Sequence, residues 1–515
     1  MTGGELDVVN RIHREQRNRN AFCMWWIGMI NNFHYCLVLS GSLSLAEGYG
    51  MRQYVALITW ANVFFGIVAR IINALVLSLL SFNIRVTVTY FMGLLAIFLV
   101  SFAYDIGGHN NVAAFVVLLI GVVFIGTASS YGESVFLGYM ERLPSKQVGA
   151  WSSGTGLSGV AASLIYLGLT HAGFSNSSIF LMSTPFLAMY WAFYFFGLKL
   201  PVETREGGYK AMVNWKGTPW RSITPVPHNK MPECLKEMRQ EQCLATEGYE
   251  DGVYSEQDGD DSHRSQTFNE YTWPILKSMH KFTLWNNFNL ASVYIAEYAV
   301  QFMAPFCFPC KQLKESKSFW IKNAFVLTQF CYQFGVLISR SSLVCVRIRQ
   351  VWILTVIQVI NAVAWFVEAK VHFLEDPDDE KRQLAFTFIL FAWMVFVGLL
   401  GGASYVNVFY NILEETKEAQ NAEIAEFVAW RGRKRAPGLS SERVFNDTEF
   451  GEPLGSEEEE ATIIRDCVAH ITAEWKTKRD MAMNIGALYV TVGITLGSLL
   501  DLFFTVVVLR GGGCS

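Results

Sequence analysis

Ionisable side chains are expensive inside a bilayer, so one standing in an otherwise apolar stretch is there to bind, to carry a proton or to pair with an opposite charge. This sequence has several. Arg70 lies in the apolar run 54–80, close to Asn62 and Asn73. Glu133 follows Ser129, Ser130, Tyr131 and Gly132 inside the run 112–139. Glu297 shares a helical face with Tyr294 and Gln301, and Asp501 sits one turn beyond Gly497. Arg340 closes the run 321–341, after Gln329, Tyr332 and Gln333. An arginine so placed would attract a small anion, as expected for Arg70. A glutamate would carry or relay a proton, as expected for Glu133 or Glu297. The competing expectation is ion pairing that only locks helices together, and it is favoured for Asp501. Arg340 has a gating or structural role, or reaches the membrane interface with its charged head.

Uncharged polar groups form a second set. Asn31, Asn32 and Tyr35 cluster midway along the run 21–45, and Tyr405, Asn407 and Asn411 follow Gly401-Gly402 in the run 384–412. Amides in a dry bundle must find partners, and they suit a polar substrate as well as a neighbouring helix. The run Trp151-Ser152-Ser153-Gly154-Thr155-Gly156 opens a further apolar stretch. Its Ser152, Ser153 and Thr155 could offer donors to an anion at a helix start. Gly154, Gly156 and Gly402, like the pair Gly493/Gly497, allow close helix approach.

Catalytic constellations are missing. There is no H-E-x-x-H, no G-x-S-x-G and no G-x-x-x-x-G-K-[ST], so the expectation is a non-enzyme without catalytic residues, cofactor or ATP drive. Cys307 and Cys310 form a lone C-x-x-C without a second pair, and His34 stands alone, so no metal site is expected.

These residues need helices to hold them. The 515 residues are 52% hydrophobic and only 17% charged, with mean hydropathy +0.26. Most of the charge is concentrated in 199–273 and 414–480. The remainder is too apolar for water and predicts an all-α polytopic membrane protein. About eleven segments can cross a bilayer: 21–45, 54–80, 86–104, 112–139, 150–170, 178–198, 280–303, 321–341, 350–368, 384–412 and 482–509. The first polar stretch splits them six and five, which predicts two bundles.

The expected organisation is an N-terminal tail 1–20, a bundle 21–198, a largely disordered linker 199–279, and a second bundle 280–509 with an insert 414–480 and tail 510–515. Arg11, Arg14, Arg17, Arg19, Arg85, Arg142 and Lys146 outweigh Arg52 across the first half, which places the N-terminus and both polar stretches in the cytosol. Lys311, Lys314 and Lys317 fall on the opposite side. The odd number of spans puts the C-terminus in the lumen, where Cys514 is out of position for prenylation.

No cleavable signal peptide is expected from the polar N-terminus. Asn176 heads a luminal glycosylation sequon, whereas Asn446 heads a cytosolic one. Arg431, Arg433, Lys434 and Arg435 could meet anionic lipid, or belong to a solvated insert. A net charge of −4 gives no case for nucleic acid.

At these motifs the chain resembles the battenin family of lysosomal and vacuolar membrane proteins. The resemblance is carried by Asn31-Asn32-Phe33 with Tyr35, Gly132-Glu133, Trp151 to Gly156, Ala296-Glu297-Tyr298, Ser339-Arg340-Ser341-Ser342-Leu343, and Gly398 to Ala403 running to Tyr405 and Asn407. It implies an eleven-helix bundle of major-facilitator type in lysosomal or vacuolar membranes. It also implies a part in lysosomal pH balance and in export of small polar metabolites, with glycerophosphodiesters leading and basic amino acids second. Arg70 falls where the family carries a basic residue. The alternative is a non-transporting scaffold that recruits trafficking adaptors through its polar loops, for which Tyr209 to Met212 and Glu459 to Ile464 are candidate signals. The stretch 420–478 is longer than the family's.

Overall fold

The computed structural model describes residues 3–51, 54–75, 80–140, 143, 147–199, 202–203, 209–210, 232–245, 272–308, 316, 318–376, 378–435 and 457–504. Arg52, Arg142, Lys146, Met212, Cys310, Lys311, Lys314, Lys317, Asn446, Cys514 and the tail 510–515 lie outside them, as do the side chains of Arg11, Arg14, Tyr209, Arg435 and Asp501. The chain divides into two compact units. One comprises Met1–Ser222, His280–Ile412 and Ala482–Ser515, and the other Ile223–Met279 and Leu413–Met481.

Where it is described, every apolar run of the sequence is mainly helix. In chain order these are α1 (Gly3–Gly48), α2 (Val55–Leu75), α3 (Phe82–Ser101), α4 (Asn111–Tyr139) and α5 (Gln147–His171). A broken helix follows, made of α6 (Asn176–Met182), α7 (Thr184–Ala192) and a π-helical turn Phe193–Gly197. After α8 (Glu233–Ala245) come α9 (Thr272–Met303), α10 (Ala324–Ser341), α11 (Trp352–Val371), α12 (Glu380–Arg435) and α13 (Glu457–Phe503). The only strands among the described residues are the two-residue β1 (Val202–Glu203) and β2 (Tyr209–Lys210), paired antiparallel.

Caps explain several starts. Asn110 accepts from the Val112 and Ala113 amides at 2.9 and 3.1 Å, and Ser175 accepts from Ser178 at 3.2 Å. Each cap satisfies amides that the first turn leaves open.

The chain is a multi-pass membrane protein. Among the described residues six helices are long and apolar enough to cross a bilayer: Phe82–Ser101, Asn111–Tyr139, Asn176–Gly197, Trp352–Val371, Glu380–Lys434 and Glu459–Leu500. Leu57–Asn73 is a shorter apolar helix. The other long helices of the first unit, α1, α5, α9 and α10, fall short because polar residues interrupt them. Those are the helices that bring Asn32, Thr155, Glu297 and Arg340 inward. Outward faces stay apolar, with Phe91 60% and Ile360 64% exposed, whereas Arg70, Asn62 and Glu297 are at most 4% exposed. That inversion suits a lipid solvent.

Backbones approach closely where glycine allows it. A Cβ at Gly154 would fall on the Trp25 carbonyl, locking α5 against α1. Added at Gly493 or Gly497 it would come within 2.6 or 2.8 Å of the Ala291 or Ile295 carbonyl, which joins α13 to α9. Arg85 corrects the loop charge count. It lies inside α3, 1% exposed, with Nη2 donating to Asn73 Oδ1 at 2.9 Å and its guanidinium 4.7 Å from the Phe82 ring. Its Nε has no hydrogen-bond partner among the described residues, but an arginine buried inside a helix is not a free loop charge.

The second unit packs Leu235, Met238, Phe427, Cys467 and Ile471, all fully buried, beneath a charged surface. Arg239 donates to Glu423 at 2.7 Å and Glu474 at 2.8 Å. The Trp475 and Trp430 indoles donate to Glu423 and Glu241 at 2.6 and 2.7 Å. From the basic cluster, Arg431 pairs with Glu460 at 2.8 Å and Lys434 with Glu241 at 2.5 Å. Helix α8 is therefore an ordered element within the linker, and the insert begins and ends as continuations of α12 and α13.

Candidate functional site

A cavity of about 70 Å³ lies inside the first unit. It gathers Asn32 and Tyr35 from α1, Arg70 from α2, Glu133 from α4, Thr155 from α5, Tyr294 and Tyr298 from α9, Tyr332 and Arg340 from α10, and Thr491 from α13. Both halves of the sequence contribute.

The two arginines differ in how they are compensated. Arg70, 4% exposed, forms an ion pair with Glu133 through Nη2, and its Nη1 donates to Ser134 Oγ at 3.2 Å. Tyr405 donates its hydroxyl to the other Glu133 oxygen at 2.5 Å. The Trp151 indole in turn donates to Tyr405 at 3.4 Å.

Arg340 meets only neutral groups. It donates to Thr155 Oγ1 at 2.7 Å and the Tyr294 hydroxyl at 3.0 Å, and stacks 4.1 Å from the centre of the Tyr405 ring. Among the described residues no carboxylate forms an ion pair with it, and its Nε has no partner. A guanidinium partly withdrawn from water normally finds a carboxylate.

Amides and hydroxyls frame the wall. Asn32 Oδ1 accepts from Asn31 Nδ2 at 3.0 Å and Ser129 Oγ at 3.1 Å. Tyr35 and Tyr298 share a hydroxyl contact at 3.0 Å, and Asn62 donates to the Tyr35 carbonyl at 3.1 Å. Glu297 lies behind the wall and accepts the Tyr332 hydroxyl.

Of the residues singled out by sequence, Arg70, Glu133, Asn32, Tyr35, Thr155 and Arg340 line the cavity, and Tyr405 stands one hydrogen bond behind. Asn31 lines a smaller neighbouring cavity with His34, whose Nε2 lies 3.0 Å from Ser183 Oγ. Asn407 lies elsewhere, accepting the Ile348 amide at 2.7 Å and donating to the Ala403 carbonyl at 2.9 Å. Ser152 is fully buried off the cavity lining, and Ser153 meets Ser341 at 2.8 Å.

Gly156 faces the backbone of Leu337 on α10, and Gly402 faces Ser339 and Val336. Asn176 accepts from the Tyr166 hydroxyl at 2.9 Å and donates to Ser44 Oγ at 3.2 Å. Tyr294, Tyr298 and Tyr332, to which the sequence reading assigns no site role, also line the cavity. Their spacing around Glu297 and before Arg340 was the available signal.

A family model described as CLN3 protein matches residues 22–446. The chain belongs to the battenin family. Battenin of Dictyostelium discoideum is 34% identical over 397 residues, covering 77% of this chain and 86% of that one. Dog battenin is 27% identical over 441 residues, covering 80% and 86%. Protein BTN1 of Saccharomyces cerevisiae is 26% identical over 411 residues, covering 78% and 87%. The solved structure of the human organic anion transporter MFSD10 (TETRAN) aligns with 97% of this chain and 96% of its own, at TM-score 0.43 and 11% identity. That likeness is too low to support a conclusion. The battenin-family match includes every cavity residue named above except Thr491.

Proposed function

We propose that this battenin-family chain is a transporter, not an enzyme, carrying a small polar metabolite with a phosphodiester group across a lysosomal or vacuolar membrane and so contributing to lysosomal pH balance. One observation carries the reading. Arg340 is a half-buried cation that forms no ion pair with a carboxylate among the described residues, facing a polar cavity where Arg70 is already matched by Glu133. Two arginines against one glutamate on the cavity lining favour a phosphodiester group over a basic amino acid. Glycerophosphodiesters fit best, because their polyol end suits the amide and hydroxyls of Asn32, Tyr35 and Thr155. Arg340 anchors the charge, and Arg70, held in place by Glu133, stands beside it.

In this reading the halves 21–198 and 280–509 rock about the cavity as in transporters of major-facilitator type, with the N-terminus cytosolic and the C-terminus luminal. The test is flux of glycerophosphocholine into proteoliposomes, with arginine as the comparison. Arg340→Ala reduces that flux at least tenfold while the protein still reaches its membrane, and Arg70→Ala does the same. Wild-type flux in Arg340→Ala would remove the role assigned to it.

The folded charged unit of Ile223–Met279 and Leu413–Met481 favours a second reading, a scaffold for trafficking adaptors. Deleting 420–478 separates the two, because a transporter core keeps its flux and a scaffold loses its partners.

A further inference from the structure

Two buried glutamates belong to this region, and they are held differently. Glu133 lines the cavity, is ion-paired with Arg70 and accepts from Tyr405. Glu297 is absent from the lining and 1% exposed. One of its oxygens accepts the Tyr332 hydroxyl, and the other has no partner among the described residues. No basic side chain among them forms an ion pair with it. Across from it, α12 presents Gly401, where an added Cβ would fall on both carboxylate oxygens. The glycine is the clearance in which the carboxyl sits.

A carboxylate meant to stay charged in such surroundings is matched by a cation, as Glu133 is. One left with a single phenol and a dry oxygen is suited to gain and lose a proton. Among the described residues its only hydrogen-bonded link to the cavity is Tyr332, which lines it.

We infer that Glu297 is the proton-binding group of the carrier, loaded from the cavity through the Tyr332 hydroxyl, and that Glu133 is a fixed counter-ion. The inference rests on the transport reading above. In the loading step a proton from cavity water bonds to the Tyr332 oxygen as the phenolic O–H breaks toward Glu297. Tyr332 ends unchanged and Glu297 ends neutral. The other titratable groups around it are Tyr294 and Tyr298 on its own helix, Tyr35 of α1 bonded to Tyr298, and Arg340 of α10 bonded to Tyr294. Gly401 gives α12 no titratable group at the contact, and Tyr405 of that helix is turned to Glu133.

The test uses the full-length protein in lipid nanodiscs and proteoliposomes. Infrared difference spectra between acidic and neutral pH are expected to contain a buried carboxylic-acid C=O band. The band is lost in Glu297→Gln, kept in Glu133→Gln, and shifted in Tyr332→Phe, which removes its hydrogen bond. Acid-gradient stimulation of glycerophosphocholine flux falls to none in Glu297→Gln and is weakened in Gly401→Ala. A band unchanged by Glu297→Gln, or stimulation equal to wild type, overturns the inference. If wild-type protein moves no glycerophosphocholine, the transport reading fails and the infrared band alone still decides whether Glu297 binds the proton. Glu297→Asp, which keeps an acid, guards against a loss due to misfolding.

Discussion

The membrane unit and the charged unit each centre on an arginine held by acidic side chains, with opposite consequences. Arg70 and Glu133 are paired with side chains 3% and 10% exposed, in a bundle whose outer face meets lipid. Arg239, Glu423 and Glu474 are paired with side chains 17–20% exposed. Water and salt can reach the second set, so its charges are partly solvated with or without their partners. The first set has no such reserve. Identical chemistry is thus a commitment in one unit and an adjustable contact in the other.

The largest break in that comparison comes from stranding a charge. Glu133→Ala leaves Arg70 buried and unmatched, at a cost of about 3–5 kcal/mol, read as a large fall in the detergent melting midpoint. Replacing Arg70 by Met in the same chain recovers much of the loss, and a double-mutant cycle isolates the coupling. Next is packing that the bundle needs at backbone level. Gly154→Ala drives a methyl into the Trp25 carbonyl and costs about 1–3 kcal/mol by the same measurement. Arg239→Ala costs about 1 kcal/mol, and raising the salt to about 1 M shrinks that difference while leaving the Glu133 effect in place.

The most local effect is in acid. Burial pushes the Glu474 carboxyl up, but Lys478 and Arg239 more than offset it and hold it at about 2. A depressed carboxyl stabilises the folded form only while ionised. Its contribution is therefore present above about pH 4.5 and is lost as the pH falls toward 2. Hydrogen exchange across 459–480 of the full-length protein, compared with Glu474→Gln at matched pH, is expected to show a difference at pH 6 that disappears near pH 2.

Much of the cavity was legible because polar residues in apolar runs declare themselves one by one. Arg70, Glu133, Asn32, Tyr35 and Thr155 all line it. What sequence could not supply was pairing. Arg70 meets Glu133 from 63 residues away, and nothing in either run says which arginine is satisfied. Arg340 closes its run and reads from sequence as a gate or an interface residue, yet it shares the cavity with Arg70, because the end of an apolar run does not by itself fix where a side chain points. Asn407 was the reverse case: its motif was conspicuous, but both its hydrogen bonds go to backbone. Helix positions were clear from hydropathy. The ordered helices of the charged unit were not, because their stability comes from contacts between segments far apart in sequence.

The helices that surround the cavity carry a burden during synthesis. Each of α1, α5, α9 and α10 is interrupted by the polar groups that make the site, so none matches the apolar helices in its own affinity for lipid. Insertion machinery judges segments largely one at a time. These segments depend on neighbouring helices to shelter their polar faces. Substitutions that loosen the contacts of α1 with α5 or of α9 with α13 therefore act at birth as well as in the finished protein, by leaving helices that the endoplasmic reticulum retains before any solute is moved.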